Sequence, residues 1–224
     1  MGKDLCVTSR LVHDRPSSPL RTVLLLWAGL VSMGEPPFVL SRAHEDDRDV
    51  IIGLIDAAAE WLRTKNTDQW KQPWPSEEDR SHRIRRDLIA GNTWIAWQDG
   101  TCAATITADR AVNPIWPTEI RRDPAVYVCR LVISRVFAGQ GLGAALLDWA
   151  GLRARRHYSA RWIRVDVWTT NTALHAYYQR QGFAFCGFSN TSGYYPSAAL
   201  FQKETGRIQP TGQALFRLQP ATGD

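Results

Sequence analysis

With 224 residues, 44% of them hydrophobic and 22% charged, the chain has the composition of a packed globular protein, not the charge-rich, apolar-poor signature of disorder. That length suits one ordinary domain with extensions, able to bury a core without metal or disulfide staples. A formal charge of +5 is compatible with an anionic ligand, but no helix-turn-helix, zinc or RNA-binding pattern accompanies it, and nucleic acid is not an expected partner. Cys6, Cys102, Cys129 and Cys186 are scattered, with no C-x-x-C pair and no histidine at zinc-ligand spacing. Reduced thiols in a cytoplasmic protein, and no bound metal, are the expectation.

The first apolar run, Val23–Val31, is far shorter than the roughly 20 residues needed to cross a bilayer, and the residues after it make a poor signal-peptidase site. Residues 1–32 are therefore expected to be a leader, disordered or from a misassigned start, with no membrane partner. Met33 then heads a domain over 33–204, followed by a polar tail over 205–224. Phe38–Ala43 alternates as a strand. Ile51, Leu54, Ile55, Ala58, Trp61 and Leu62 then recur at helical spacing behind acidic Glu45-Asp46-Asp47. Two prolines and two tryptophans make Thr67–Pro75 a loop, and Ser76 with Asp79 is a capping-box signature for a second helix ending near Gly91.

Thr93–Trp97 and Cys102–Thr107 flank an Asp99-Gly100 turn and predict a hairpin. After an irregular, proline-rich Asn113–Pro117 come a strand over Val126–Ile133, a helix over Gly141–His157 and a strand over Trp162–Val167. A helix capped by Asn171 and running to about Gln181 follows, then closing strands over Phe183–Phe188 and Ala198–Gln202. The order predicts an α/β fold, a mixed central sheet flanked by helices.

The chemistry concentrates in Leu131–Gly143, LVISRVFAGQGLG, where a strand leads through a glycine-rich turn into a helix. Glycines at 139, 141 and 143 let the backbone approach a ligand, and the unpaired N–H groups of a helix N-terminus favour an anion, so a phosphate or pyrophosphate site is proposed. A Walker loop needs G-K-[ST], which Leu142-Gly143-Ala144 does not supply. A dinucleotide fingerprint is closer, since Gly139, Gly141 and Ala144 fit G-x-G-x-x-A and Asp166 lies about twenty residues on. However, Ser134–Ala138 separates the glycines from the strand, and too little chain follows.

Leu131-Val132-Ile133 with Gly139-Gln140-Gly141-Leu142-Gly143 resembles the acyl-CoA-binding motif of the GCN5-related N-acetyltransferase (GNAT) superfamily. The segment from Asn171 to Phe183, with Tyr178 four residues before Gly182-Phe183, resembles its second signature. The resemblance spans about Phe38–Gln202. It departs at Ala138, where the family usually has arginine or glutamine.

What the resemblance implies is a single GNAT-like domain using acetyl-CoA as cosubstrate to acetylate an amine by direct attack. Leu131, Val132, Ile133, Ala138, Gly139, Gln140, Gly141, Leu142, Gly143, Ala144 and Asn171 would bind the cofactor. The strand holding Leu131–Ile133 would splay from the one holding Trp162–Val167, with a backbone N–H of Val132 or Ile133 polarising the thioester and Tyr178 acting as general acid. The acceptor, a small-molecule or peptide amine, would meet the first two helices and the Trp70/Trp74 loop. Asp109, Glu119 and Asp166 leave the general base open. The basic cluster Arg153, Arg155, Arg156, Arg161 and Arg164 reads mostly as a solvated helix face. The competing reading is a degenerate, non-catalytic acyl-CoA-binding or regulatory module.

Overall fold

Alternating side chains set the first strand, β1 (Phe38–Arg42), which buries Phe38 and Leu40 on one face and leaves Val39 and Ser41 half-buried on the other. The structure is a computed structural model that describes residues 36–73, 75–189, 196–209 and 214–219; the leader over 1–32 and Trp74 lie outside the described residues. Helix α1 (Arg48–Arg63) buries Ile51, Leu54, Ile55, Ala59 and Leu62. Ala58 and Trp61, placed on that stripe by their spacing, are only half-buried and line a cleft. Helix α2 (Glu77–Ile89) starts at the predicted cap, where the Ser76 hydroxyl accepts from Asp79 N at 3.1 Å.

Strands β2 (Thr93–Gln98) and β3 (Thr101–Asp109) form the expected hairpin. Asp99 and Gly100 both take positive φ, 49° and 74°, as a type I′ turn requires. A short helix α3 (Thr118–Arg121) precedes β4 (Ala125–Ile133), and α4 (Leu142–Tyr158), β5 (Trp162–Val167) and α5 (Thr172–Arg180) follow. The chain closes with β6 (Ala184–Phe188), β7 (Ala199–Glu204) and β8 (Phe216–Leu218).

The eight strands make one mixed sheet in the order β6-β7-β5-β4-β3-β2-β1-β8, parallel at β4–β5 and β1–β8 and antiparallel elsewhere. Adjacent residues on β2 point to opposite layers. Ile95 packs with Ile51, Leu54, Ile84 and Leu88 of α1 and α2, whereas Ala96 packs with Leu142, Leu146 and Leu147 of α4. Helices thus cover both faces. Among the described residues, no helix is long and apolar enough to cross a membrane.

Two features differ from the sequence expectation. Arg164, grouped with solvated arginines, lies on β5 and is 0% exposed. Its guanidinium donates to Ile120 O at 2.7 Å, Tyr127 Oη at 3.1 Å and Gln202 Oε1 at 3.3 Å, and sits 5.3 Å from the centre of the Trp116 ring. Neutral acceptors and an aromatic face replace its hydration, and the bonds pin the segment around α3 to the sheet. The second difference is in the segment read as a tail, which supplies β8 and sends Ile208 and Phe216 into the main core.

Because Phe216 is buried beside Phe38, with ring centroids 6.4 Å apart, Phe216→Ala is expected to cost about 3 kcal/mol in urea unfolding. A loss below about 0.5 kcal/mol would show that the closing strand carries no core energy.

Candidate active site

The site begins with an irregularity in β4. Thr105 and Thr107 of β3 lie opposite Val132 and Cys129 of β4, so the latter strand fits one extra residue into the interval. This is a β-bulge, and Arg130 within it takes φ 48°, the left-handed region. The extra residue reverses the alternation: Val132 turns toward α1 and α2, while Leu131 and Ile133 pack against the α4 layer. Asp87 of α2, 3% exposed, accepts from Arg130 and also from Arg86 at 3.0 Å, tying the bulge to the helix above it.

Pairing between β4 and β5 ends at Val128↔Val165. Beyond that point β5 continues with β7, and the β5-facing backbone of β4 has no neighbouring strand. Ser134 N donates to Ala103 O at 2.8 Å, and residues alternate along a strand, so Ile133 N–H points away from β3 and into the gap. The gap widens into a cleft of about 1870 Å³.

The glycine turn opens onto the same cleft. Gly139 and Gly141 have φ 86° and 77°, and nothing lies within 4 Å of where a Cβ would stand on either. Gly141 caps α4 without a side-chain bond, and the first turn carries no acid, so the N–H groups of Leu142, Gly143 and Ala144 meet no competing carboxylate. Gly143 is required for a different reason: a Cβ there would stand 2.5 Å from the Tyr177 hydroxyl, which lies over this first turn. Burial pushes the Tyr177 phenol up to about 12.

Tyr178 reaches the cleft from α5. Its ring stacks on Phe201 and meets Phe183 edge-on at 5.4 Å, and among the described residues its hydroxyl has no hydrogen-bond partner. Burial, then the neighbouring phenol of Tyr177, raises its pKa, so the phenol stays protonated through neutral pH. Asp166 and Cys129 line the cleft floor. Solvent reaches both through the cleft, yet protein surrounds them, and desolvation dominates: Asp166 rises to about 7 and the Cys129 thiol to about 12. Asn113 Nδ2 donates to Asp166 Oδ1 at 3.1 Å.

The loop after α1 is laced to the loop after β5. Trp168 Nε1 donates to Asp68 Oδ1 at 2.9 Å, Thr170 donates to the same oxygen, and Asn171 Nδ2 donates to Gln69 Oε1 at 2.6 Å. Asn171 also caps α5 by accepting from Leu174 N at 3.0 Å, so its amide is engaged at both ends while still lining the cleft.

Of the residues singled out in the sequence, Leu131, Val132, Ile133, Ala138, Gly139, Gly141, Leu142, Gly143, Ala144, Asn171 and Tyr178 all line this cleft. Gln140 is exposed and outside the lining. Trp70 lines the cleft. Arg135 rests 4.0 Å from the centre of the Trp61 ring at its edge. Sequence reasoning missed the Asp87–Arg130 lock and Asn113; they come together only across 43 and 53 residues of chain.

A sheet split between two parallel strands, beside a glycine-opened helix N-terminus, is the arrangement that the sequence resemblance to acyl-CoA-using acetyltransferases implies. Residues 55–183 match the acetyltransferase (GNAT) family. The chain is 33% identical over 171 residues to the uncharacterized N-acetyltransferase YesJ of Bacillus subtilis strain 168, covering 75% of this chain and 90% of that one. It therefore belongs to the GNAT acetyltransferase family. Among solved structures it resembles a GNAT-family acetyltransferase from Listeria monocytogenes, with 27% identity, TM-score 0.58, and 75% of this chain and 94% of that one covered. The fold also matches PaiA N-acetyltransferase from Thermoplasma acidophilum, solved with coenzyme A, at 14% identity and TM-score 0.56 over 75% and 98% of the two chains.

Two outcomes test this geometry. Gly141→Val forces a branched side chain into the left-handed region at a cost of about 1–2 kcal/mol and fills the cradle, so calorimetric coenzyme A binding should vanish while circular dichroism still reports a folded protein. The second concerns linkage: a native Asp166 pKa near 7, above the unfolded value near 4, means that the folded state holds an extra proton between those limits, and stability falls as pH rises through that window. Asp166→Asn should therefore reduce the drop in unfolding temperature between pH 5 and pH 8; an unchanged drop would contradict the raised pKa.

Proposed function

We propose that this protein is an N-acetyltransferase that passes the acetyl group of acetyl-CoA directly to the amine of a small molecule or peptide. The observation carrying this reading is the convergence, in one cleft, of the uncapped α4 N-terminus, the Ile133 N–H in the strand gap and the unpartnered Tyr178 hydroxyl. When bound, acetyl-CoA supplies an activated thioester. The N–H groups at Leu142, Gly143 and Ala144, reached past Gly139 and Gly141, suit its pyrophosphate. The β4 edge from Leu131 to Ile133 offers backbone partners to an extended pantetheine arm, with Ala138 and Asn171 alongside. Ile133 N–H is the donor for the thioester oxygen, because Val132 N–H is turned toward β3.

In the transfer, the amine nitrogen bonds to the carbonyl carbon, the C–S bond breaks, and the sulfur takes a proton from Tyr178. A phenol held protonated by burial suits that donor role. Incubation with acetyl-CoA and a panel of amines tests the reading, with free thiol and acetylated product measured together. Product with equimolar thiol supports it. Tight acetyl-CoA binding with no product from any amine would favour a non-catalytic binding module.

Tyr178→Phe removes a hydroxyl with no protein partner, so stability should change by less than about 0.5 kcal/mol. Turnover should fall by about 100-fold or more with acetyl-CoA affinity retained, as steady-state kinetics with calorimetry would show. Unchanged turnover would leave the ring a packing role only.

A further inference from the structure

We propose that Asp166 accepts the proton of the incoming ammonium, as the catalytic base on the acceptor side of the strand gap. The inference rests on the acetyltransferase reading above and adds the group that the transfer otherwise lacks: an ammonium sheds two protons in becoming an amide, the first, before attack, to Asp166, and the second, after the C–N bond forms, making good the proton that Tyr178 gives to sulfur.

Position carries the argument. Asp166 is the first residue of β5 past the last pair with β4, Val128↔Val165, so it stands where the two strands part. Strand alternation puts Ile163, Val165 and Val167 into the α4 layer and turns Arg164 and Asp166 to the other face, which α1 and α2 cover at Ile95 and Val132 and the segment around α3 covers at Arg164. Tyr178 comes from the opposite side, packed in the α4 layer with Phe183 and Phe201. The acid and the carboxylate therefore meet the gap from its two faces, and the Asp166 charge helps to hold the Tyr178 phenol protonated. A nitrogen arriving from the α1/α2 side meets Asp166, and a thiol departing toward the α4 side meets Tyr178.

The carboxylate is held for this task. Asn113, fixed by accepting from Ile115 N at 3.2 Å, donates to Asp166 Oδ1, and Asp166 lines the cleft. The groups facing Asp166 are Cys129 and Arg130 of β4, Tyr178 of α5 and Asn113; Asp109, Arg83 and Arg86 lie around Cys129. Enclosure in the cleft opposes the charged form more strongly than the Asp166 backbone N–H, Asn113 and Arg130 favour it. The balance gives a carboxylate that is ionised just above neutrality and basic enough to receive a proton. Asn113 acts through Asp166 and is a positioning residue.

The test is the pH dependence of kcat/KM for an alkylamine acceptor, compared with hydroxylamine, whose nitrogen is largely unprotonated at neutral pH. Wild-type turnover should rise through an acidic limb near pH 7 with the alkylamine. Asp166→Asn should abolish that limb and lower kcat/KM by about 100-fold or more, with acetyl-CoA affinity within about twofold of wild type and with most of the rate restored by hydroxylamine. Asn113→Ala should move the limb to higher pH, since it removes a bond to the charged form. Wild-type turnover with an Asp166→Asn limb that persists, or an equal loss with both acceptors, overturns the assignment of Asp166 alone. No wild-type turnover on any amine, despite acetyl-CoA binding, overturns both this assignment and the acetyltransferase reading.

Discussion

The bulge in β4 and the buried carboxylate that holds it govern the rest of the site. A regular β4 would keep pairing with β5 past Val128, and the sheet would be continuous where the protein instead has a cleft. One extra residue at Arg130 ends that pairing, turns Val132 toward α1 and α2 and leaves Ile133 N–H in the gap. The conformation is costly, because a non-glycine residue in the left-handed region carries about 1 kcal/mol or more of strain. Asp87 offsets it by drawing the Arg130 guanidinium to α2. A buried ion pair adds little net stability once desolvation is counted, but it rejects registers that would separate the charges. Its contribution here is to position, and the site depends on position.

A second constraint acts on the cleft's roof. Asp68 and Gln69 bond to Trp168, Thr170 and Asn171, linking the connection after α1 with the one after β5. Hydrogen bonds from Thr170 and Trp168 hold the Asp68 carboxyl below its ordinary range, so the strap keeps its charge through neutral pH. Asn171 joins this strap and caps α5 with the same amide. The helix presenting Tyr178 is thereby fixed to the loop after α1, and the two sides of the cleft share one mechanical support.

Features that depend on a few neighbouring residues were legible in the sequence. Asp99-Gly100 set its hairpin, Ser76 and Asn171 capped their helices, and the glycines at 139, 141 and 143 marked the cradle, since each signal is local in backbone preference or spacing. The splay of β4 from β5 came only through family resemblance, and the strand order was not legible at all. Sequence periodicity could not separate Ala58 and Trp61 from the core stripe, because a helix beside a cleft buries apolar residues there too. Arg164 was misread because, without the register of β5, its position after a basic helix suggested the surface. Asp87, Asn113 and β8 act over long chain separations, where a single sequence carries no pairing information. Asp166 was visible as a carboxylate in a strand, but its enclosure and its bond from Asn113 exist only after folding.

The thiol on the cleft floor bears on whether transfer is direct or passes through the protein. Cys129 stands beside Asp166 in the cleft, and a cysteine there could in principle take the acetyl group first. Nucleophilic cysteines need a thiolate, which depends on a nearby cation or a helix N-terminus. Cys129 has the reverse environment. Enclosure and the carboxylates of Asp166 and Asp109 push its thiol up to about 12, and Arg83 and Arg86 do not compensate. A carboxylate disfavours a thiolate beside it by like-charge repulsion, whereas it attracts an ammonium. The charge pattern that disfavours a Cys129 thiolate would also attract a cationic amine, which favours the proposed direct attack over a relay through the thiol.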